Sequence, residues 1–328
     1  MSRKSPGKAH RQGISLVKLH RMFPDDDAAR AWLETQLWPQ GPYCPHCGSF
    51  NVQAGIKHRT MTHRCRDCPK RPQFSLKTGT IMQASNLGYQ TWAIAIYLLT
   101  TNLKGIAAMK LHRDLELSYK SAWHLAHRLR RAFESSEAPV FQGPVEADEA
   151  YFGGKRRNMH KAKRKELAEA GRGTVGKTAV VGVKDRATNA VVAEVVERTD
   201  TETLQSVVVE NTSPGATVYT DEASAYKGVP RAHEAVNHSA GEYVRGMAHS
   251  QGIESFWSLM KRGYVGTYHY MSAKHLQRYA NEFAGRNNIR EADTIDQMKT
   301  VVVGLVGKRL CYRELVADNG LPSGARGG

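Results

Sequence analysis

The chain has 328 residues, 41 % of them hydrophobic, which is enough for real cores in one large domain or two to three smaller ones. Its 47 Lys and Arg against 31 Asp and Glu leave a formal charge of +16, a field that attracts polyanions and makes nucleic acid the expected partner. No run of about 18 apolar residues occurs and the basic start lacks an apolar signal core, so no membrane span is indicated, the start does not read as a secretory signal, and a cytoplasmic protein is expected.

Residues 1–24 read as a basic, flexible arm. Residues 25–85 read as a helix followed by a metal-bound ribbon. Asp25-Asp26-Asp27 caps a helix through Ala28, Ala31, Trp32 and Leu33. Cys44-Pro45-His46-Cys47 and Cys65-Arg66-Asp67-Cys68 are two C-x2-C pairs 17 residues apart, the zinc-ribbon spacing. Four thiolates close a tetrahedral site and leave no open position, so one structural Zn²⁺ is expected on Cys44, Cys47, Cys65 and Cys68. A segment this small buries little apolar area, and the metal would supply much of its folding free energy. Short strands are predicted over 52–62, and a hairpin from Gln73 through the Thr78-Gly79-Thr80 turn.

Residues 86–138 read as a helical DNA-binding segment: an apolar helix over 89–103, a short one over 104–111, and a longer one over 118–133. On the last, Ala122, Ala126, Leu129 and Phe133 form a packing stripe. Lys120, His124, His127, Arg128 and Arg131 fall largely off it, and Arg128 and Arg131 are candidate DNA contacts. The pattern is helix-turn-helix-like, with an ordinary amphipathic helix as the alternative.

Residues 139–290 change to strands. The run Val145 to Phe152 carries Asp148, and a Gly153-Gly154 break follows. Residues 155–177 then hold nine Lys or Arg against Glu166 and Glu169, so Arg156, Arg157, Arg164 and Lys165 are candidate DNA contacts. Val-rich strands over 178–184 and 190–196 come next, then a crossover helix over 204–209, a strand ending in Asp221, a helical turn near Tyr226 and a strand near 234–237. Glu254 opens a helix whose apolar face is Ile253, Phe256, Trp257 and Met260. A further helix, capped by Ser272, carries Leu276, Tyr279, Ala280 and Phe283 on one face, and residues 291–328 read as a C-terminal tail.

This order is that of an α/β, ribonuclease-H-like mixed-sheet core, in which the first and fourth strands are parallel neighbours and their aspartates lie side by side. Asp148, Asp221 and Glu254 would then converge to hold two Mg²⁺ ions, a hard-cation site of carboxylate oxygens. At about 100° per residue Lys261 lies only about 20° from Glu254 in azimuth, where it could hold a DNA phosphate beside the metals. Glu146 shares the strand face of Asp148 and could substitute as a ligand, but reads first as a supporting or solvent-facing acid; Glu149 points the other way, and Glu222 ranks below Asp221.

The runs Val145 to Gly154, Tyr219-Thr220-Asp221 and Gly252 to Gly263 resemble the ISXO-like branch of bacterial insertion-sequence transposases, as do the cysteine ribbon, Tyr279 to Phe283 and Arg286-Asn287-Asn288. The resemblance covers roughly residues 25–290. It implies a DDE-type, Mg²⁺-dependent transposase that cuts DNA at element ends and transfers the strand to a target, with Asp148, Asp221 and Glu254 as metal ligands. Synapsis of two ends implies at least a homodimer. The rival readings are a non-transposing nuclease or resolvase of the same fold, and a DNA-binding regulator with an idle core.

Overall fold

The computed structural model describes residues 12–70, 72–134, 139–154, 160–162, 164–165, 176–221, 224–236 and 251–321. The chain forms two compact units, one over Met1–Glu134 and Ile289–Ala317, the other over Ser135–Asn288 and Asp318–Gly328.

In the first unit, α1 (Leu16–Met22) is capped by Ser15 and α2 (Asp26–Leu37) by Asp25, whose Oδ1 accepts from Ala28 N–H at 2.8 Å. Asp26 and Asp27 complement the positive end of the α2 dipole, as the acid triplet predicts. The ribbon follows as a three-stranded antiparallel sheet, β1 (Val52–Ala54), β2 (His63–Cys65) and β3 (Gln73–Phe74). Helices α3 (Tyr89–Thr101), α4 (Ala108–Asp114) and α5 (Tyr119–Arg130) come next, with Ser118 capping α5. The short helix starts later than its predicted Lys104 because Gly105, at φ +89°, breaks the chain between α3 and α4.

The second unit is built on β4 (Val145–Phe152), β5 (Thr178–Asp185) and β6 (Val191–Val196), an antiparallel meander. Helix α6 (Thr201–Glu210) then crosses to β7 (Thr217–Asp221), and β8 (Ala232–Val236) completes a five-stranded sheet of order β6-β5-β4-β7-β8. Strands β4, β7 and β8 are mutually parallel. This is the mixed sheet of the ribonuclease-H-like fold, preceded in the chain by the ribbon and helices. Strand alternation sorts the two faces. Val145 and Ala147 pack with Leu204 and Val208 of α6, whereas Ala150 and Phe152 meet α7 (Gln251–Gly263) and α8 (Ala273–Asn288) on the other face.

Edge strand β6 would present unpaired backbone groups, and α8 satisfies several of them. The Asn288 amide exchanges both hydrogen bonds with the Val191 backbone, at 2.8 and 2.9 Å. Gln277 accepts from Val195 N–H at 2.7 Å and donates to Ala193 O at 2.9 Å.

The C-terminal segment belongs to the first unit. Helices α9 (Thr294–Val303) and α10 (Tyr312–Val316) place Met298, Val301, Val302 and Leu315 in one core with Leu33 of α2, Ile96 of α3 and Leu125 of α5. Among the described residues no helix is long and apolar enough to cross a membrane.

Candidate active site

Two donor sets of opposite chemistry occupy the two units. In the ribbon, Cys44, Cys47 and Cys65 place their sulfurs within 4.8 Å of one another. Gly48, at φ +77°, turns the chain after Cys47, and its N–H donates to Cys44 O at 2.8 Å. Zn–S bonds of about 2.3 Å in a tetrahedron set sulfurs ~3.8 Å apart, and the Cys47–Cys65 separation is 3.7 Å. A backbone hydrogen bond at Ser49 lowers the Cys47 thiol, but burial and the sulfurs of Cys44 and Cys65 push it up to about 11. Burial raises Cys65, yet hydrogen bonds from the Asp67 backbone and the neighbouring thiols hold it below its ordinary value. Three sulfurs gathered this closely suit one thiophilic cation. Cys68 is half-buried against this cluster but outside the mutually close trio. His63 stacks on Phe74 with centroids 5.4 Å apart and meets Trp38 edge-on, the place of a packing neighbour rather than a ligand.

In the second unit the acids gather at the sheet. Strands β4 and β7 pair in parallel with Val145 opposite Val218 and Glu146 opposite Tyr219. Continuing that register sets Asp148 level with Asp221. On the other side Asp148 pairs with Gly182 of β5, against which Trp257 and Ile253 of α7 pack. A Cβ there would stand 2.6 Å from Trp257 Cζ2 and 2.9 Å from Ile253 Cδ1, so only glycine lets the helix settle beside Asp148. Glu254 directly follows Ile253 and is exposed.

The electrostatics agree with that placement. Burial, followed by the charges of Glu149 and Asp221 and, more weakly, Glu254, raises the Asp148 carboxyl from 3.8 to about 7, although the Glu149 N–H donates to it at 2.8 Å. Sequence reasoning missed the partner of Glu149. The buried Tyr226 donates its hydroxyl to Glu149 Oε2 at 3.0 Å, and burial also raises Glu149, with Asp221 adding to the shift. Only the tertiary fold brings the turn at Tyr226 to this strand. Acids that raise one another's proton affinity form a centre short of positive charge, and oxygen donors from two strands and a helix fit hard divalent cations such as Mg²⁺.

The remaining expected site residues divide. Lys261 is exposed on α7, two turns beyond Glu254, and Arg164 and Lys165 are exposed in a short helical stretch. Arg156, Arg157 and Glu222 lie outside the described residues. Arg128 and Arg131 do not present a free basic face. Arg128 is buried, with Nε donating to Leu310 O at 3.1 Å and Nη2 to Gln83 O at 3.2 Å. Arg131 pairs with Glu134 at 2.8 Å and donates to Arg309 O at 2.7 Å. His127 is fully buried, and His124 meets Leu310 O at 3.0 Å. The C-terminal segment covers this side of α5, so its cations hold that segment's carbonyls. Glu146 is not solvent-facing either: it is 1 % exposed and paired with Arg186 at 2.8 Å.

Comparison with known proteins finds matches to two family domains along the chain. Residues 140–288 match the ISXO2-like transposase domain, and residues 24–71 match the transposase zinc-ribbon domain. The chain is also 28 % identical, over 86 % of its length and 97 % of the relative's, to a protein in transposable element ISH50 of Halobacterium salinarum. The two matched segments contain the acid-bearing sheet and the sulfur cluster respectively. The chain therefore carries an ISXO2-like transposase domain behind a transposase zinc-ribbon domain.

Proposed function

We propose that this transposase cuts DNA at the ends of an insertion sequence and transfers the freed strand to a target, with Asp148, Asp221 and Glu254 as the ligands of two Mg²⁺ ions. The observation that supports this reading is the register that sets Asp148 level with Asp221 on adjacent parallel strands, together with the rise of the Asp148 carboxyl through burial and then the charges of Glu149, Asp221 and Glu254. When bound, the ions supply Lewis-acid charge at the attacking and leaving oxygens of a phosphodiester. Asp148 and Asp221 fix their side of the centre from adjacent parallel strands. Glu254 closes the centre from α7. Lys261, on the same side of that helix, holds a DNA phosphate as a point charge. Water opens the phosphodiester at the element end, and the 3′-hydroxyl so released then attacks a phosphodiester of the target.

Arg156, Arg157, Arg164 and Lys165 neutralise backbone phosphates, and two copies of the chain are needed to hold two ends together. One Zn²⁺ on Cys44, Cys47, Cys65 and Cys68 keeps the ribbon folded in the reduced cytoplasm. We assign residues 1–24 to a basic arm, 25–85 to the helix and ribbon, 86–138 to the helical segment and 139–290 to the catalytic domain. Residues 291–328 we assign as the C-terminal tail, of which 291–317 pack in the first unit.

The test is end cleavage and strand joining on the flanking element DNA with Mg²⁺. Asp148→Ala, Asp221→Ala and Glu254→Ala should each abolish both steps while DNA binding persists. Retained cleavage in all three variants would remove the reading, and cleavage without joining in the wild type would favour the nuclease.

A further inference from the structure

The first turn of a helix has backbone N–H groups with no intrahelical partner. In α7 one of them is satisfied from an unexpected place. Ile253 N–H donates to Glu146 Oε2 at 2.7 Å, across 107 positions of sequence. Glu146 sits on β4, two residues before Asp148 and on the same face. Its Oε1 accepts from Arg186 Nε at 2.8 Å, and the Arg186 guanidinium lies 4.0 Å over the Tyr219 ring of β7. Lys184, directly opposite Glu146 on β5, donates from Nζ to Gly252 O at 3.1 Å. The sheet thus grips both backbone groups at the start of α7, one through a carboxylate and one through an ammonium.

The grip is closely fitted. A Cβ at Gly252 would stand 2.8 Å from Glu146 Oε2 and 3.0 Å from Lys184 Nζ. Glycine at 252 is what lets the backbone reach both side chains. Stability alone is a poor reason for the arrangement, because well-packed apolar side chains of similar volume usually serve as well as a buried ion pair. A local Ser or Asp cap would also satisfy a helix start without any burial of charge. What neither alternative supplies is a directional bond between the helix start and the strand that bears Asp148.

We propose that Glu146, with Arg186 and Lys184, is a positioning latch that fixes where Glu254 stands relative to Asp148. The latch holds Gly252 and Ile253, and Glu254 is the next residue. It opposes sliding and rotation of α7 over Gly182, movements that would carry Glu254 away from the aspartates. This inference rests on the reading of Asp148, Asp221 and Glu254 as cation ligands.

The test uses the full-length chain and three variants. Glu146→Ala removes the latch, Glu146→Gln keeps its shape and one acceptor, and Gly252→Ala pushes a methyl group into it without removing a charge. Mn²⁺ binding is measured by calorimetry without DNA, alongside hydrogen exchange at the Ile253 and Glu254 amides. Glu146→Ala and Gly252→Ala should each weaken Mn²⁺ affinity by about tenfold or more, with faster amide exchange, and Glu146→Gln should recover part of the loss. A residue that merely stabilised the unit would lower the number of binding sites, since fewer molecules would be folded, and leave the affinity of the folded ones unchanged. Should Glu146→Ala fail to fold, Glu146→Gln and Gly252→Ala decide the matter. Wild-type Mn²⁺ affinity in the folded latch variants would overturn the inference, while Glu254→Ala still bound Mn²⁺ weakly. If Glu254→Ala itself left affinity and cleavage unchanged, the ligand reading beneath the latch would fall instead.

Discussion

Replacing Asp148 by Asn should stabilise the second unit in the absence of divalent cations and at the same time remove its response to them. The Asp148 carboxyl is raised from 3.8 to about 7, chiefly by burial and then by Glu149 and Asp221. A carboxyl raised in the folded state holds a proton that the unfolded chain releases. Its contribution to stability is therefore complete below 3.8 and is lost as pH rises through about 7. At about 1.4 kcal/mol per pH unit, a shift of about three units costs the cation-free protein at most about 4 kcal/mol above neutrality. Partial protonation of the neighbouring acids relieves some of that strain, so about 2–4 kcal/mol is the expected gain on neutralisation. Asn keeps the oxygen that accepts from Glu149 N–H at 2.8 Å, so little else changes. For a unit of this size that gain is roughly 5–15 °C in Tm. The assay is thermal unfolding of wild type and variant at pH 8 and pH 5, with Mg²⁺ simply omitted, because a strong chelator would also strip the ribbon. The gap between the two proteins should shrink at pH 5. Added Mg²⁺ or Mn²⁺ should raise the wild type and leave the variant in place. An Asn variant no more stable than wild type at pH 8 would refute the claim that these acids stress one another.

Other outcomes are equally concrete. Purified protein should hold about one zinc per chain, and Cys65→Ser should lose it and unfold the ribbon; metal analysis that finds no zinc in intact protein would refute this. Neutralising Arg164 and Lys165 together should flatten the salt dependence of DNA binding by a slope of up to about two, and an unchanged slope would make both bystanders. Arg128→Ala should destabilise the first unit by about 1–3 kcal/mol, because Leu310 O keeps only its contact with His124 and Gln83 O loses the guanidinium that donates to it. The same change should leave the salt slope of DNA binding untouched, and a lowered slope would return Arg128 to the DNA interface.

The sequence made the sheet and its acids legible because their signals are local. Val-rich alternation marks β5 and β6, an acid ends β7, and the apolar face of Ile253, Phe256, Trp257 and Met260 marks α7. Those signals in order suffice for the topology, and topology puts Asp148 beside Asp221. Cysteine spacing was legible for the same reason. What could not be read was how distant segments cover a surface. Arg128 and Arg131 fall off the packing stripe of α5, and a solvated basic face has the same helical pattern as a face covered by residues 309–312. The pairing of Glu149 with Tyr226 likewise depends on a turn 77 positions away. Glu146 was placed on the right strand face by alternation, but alternation says nothing of Arg186 or of the Ile253 N–H.

Glu146 and Asp148 show how environment separates two acids that the sequence presents alike. They stand two residues apart on one strand and one face. Glu146 has a guanidinium at 2.8 Å and a helix N–H at 2.7 Å, so its charge is answered within the protein. Among the described residues Asp148 has one backbone donor and a ring of like charges, so its charge calls for an added cation. Neutralising the two should therefore act in opposite directions. Asp148→Asn should stabilise the cation-free protein, whereas Glu146→Gln removes the carboxylate paired with the largely buried Arg186 and should cost about 3 kcal/mol or more. Unfolding both variants in parallel without Mg²⁺ tests the contrast, and shifts of the same sign would show that the two carboxylates do not differ as their surroundings require. The strand thus carries one acid that fastens the helix and one held ready for a cation, and the short step between them ties the position of the Glu254 helix to that of Asp148.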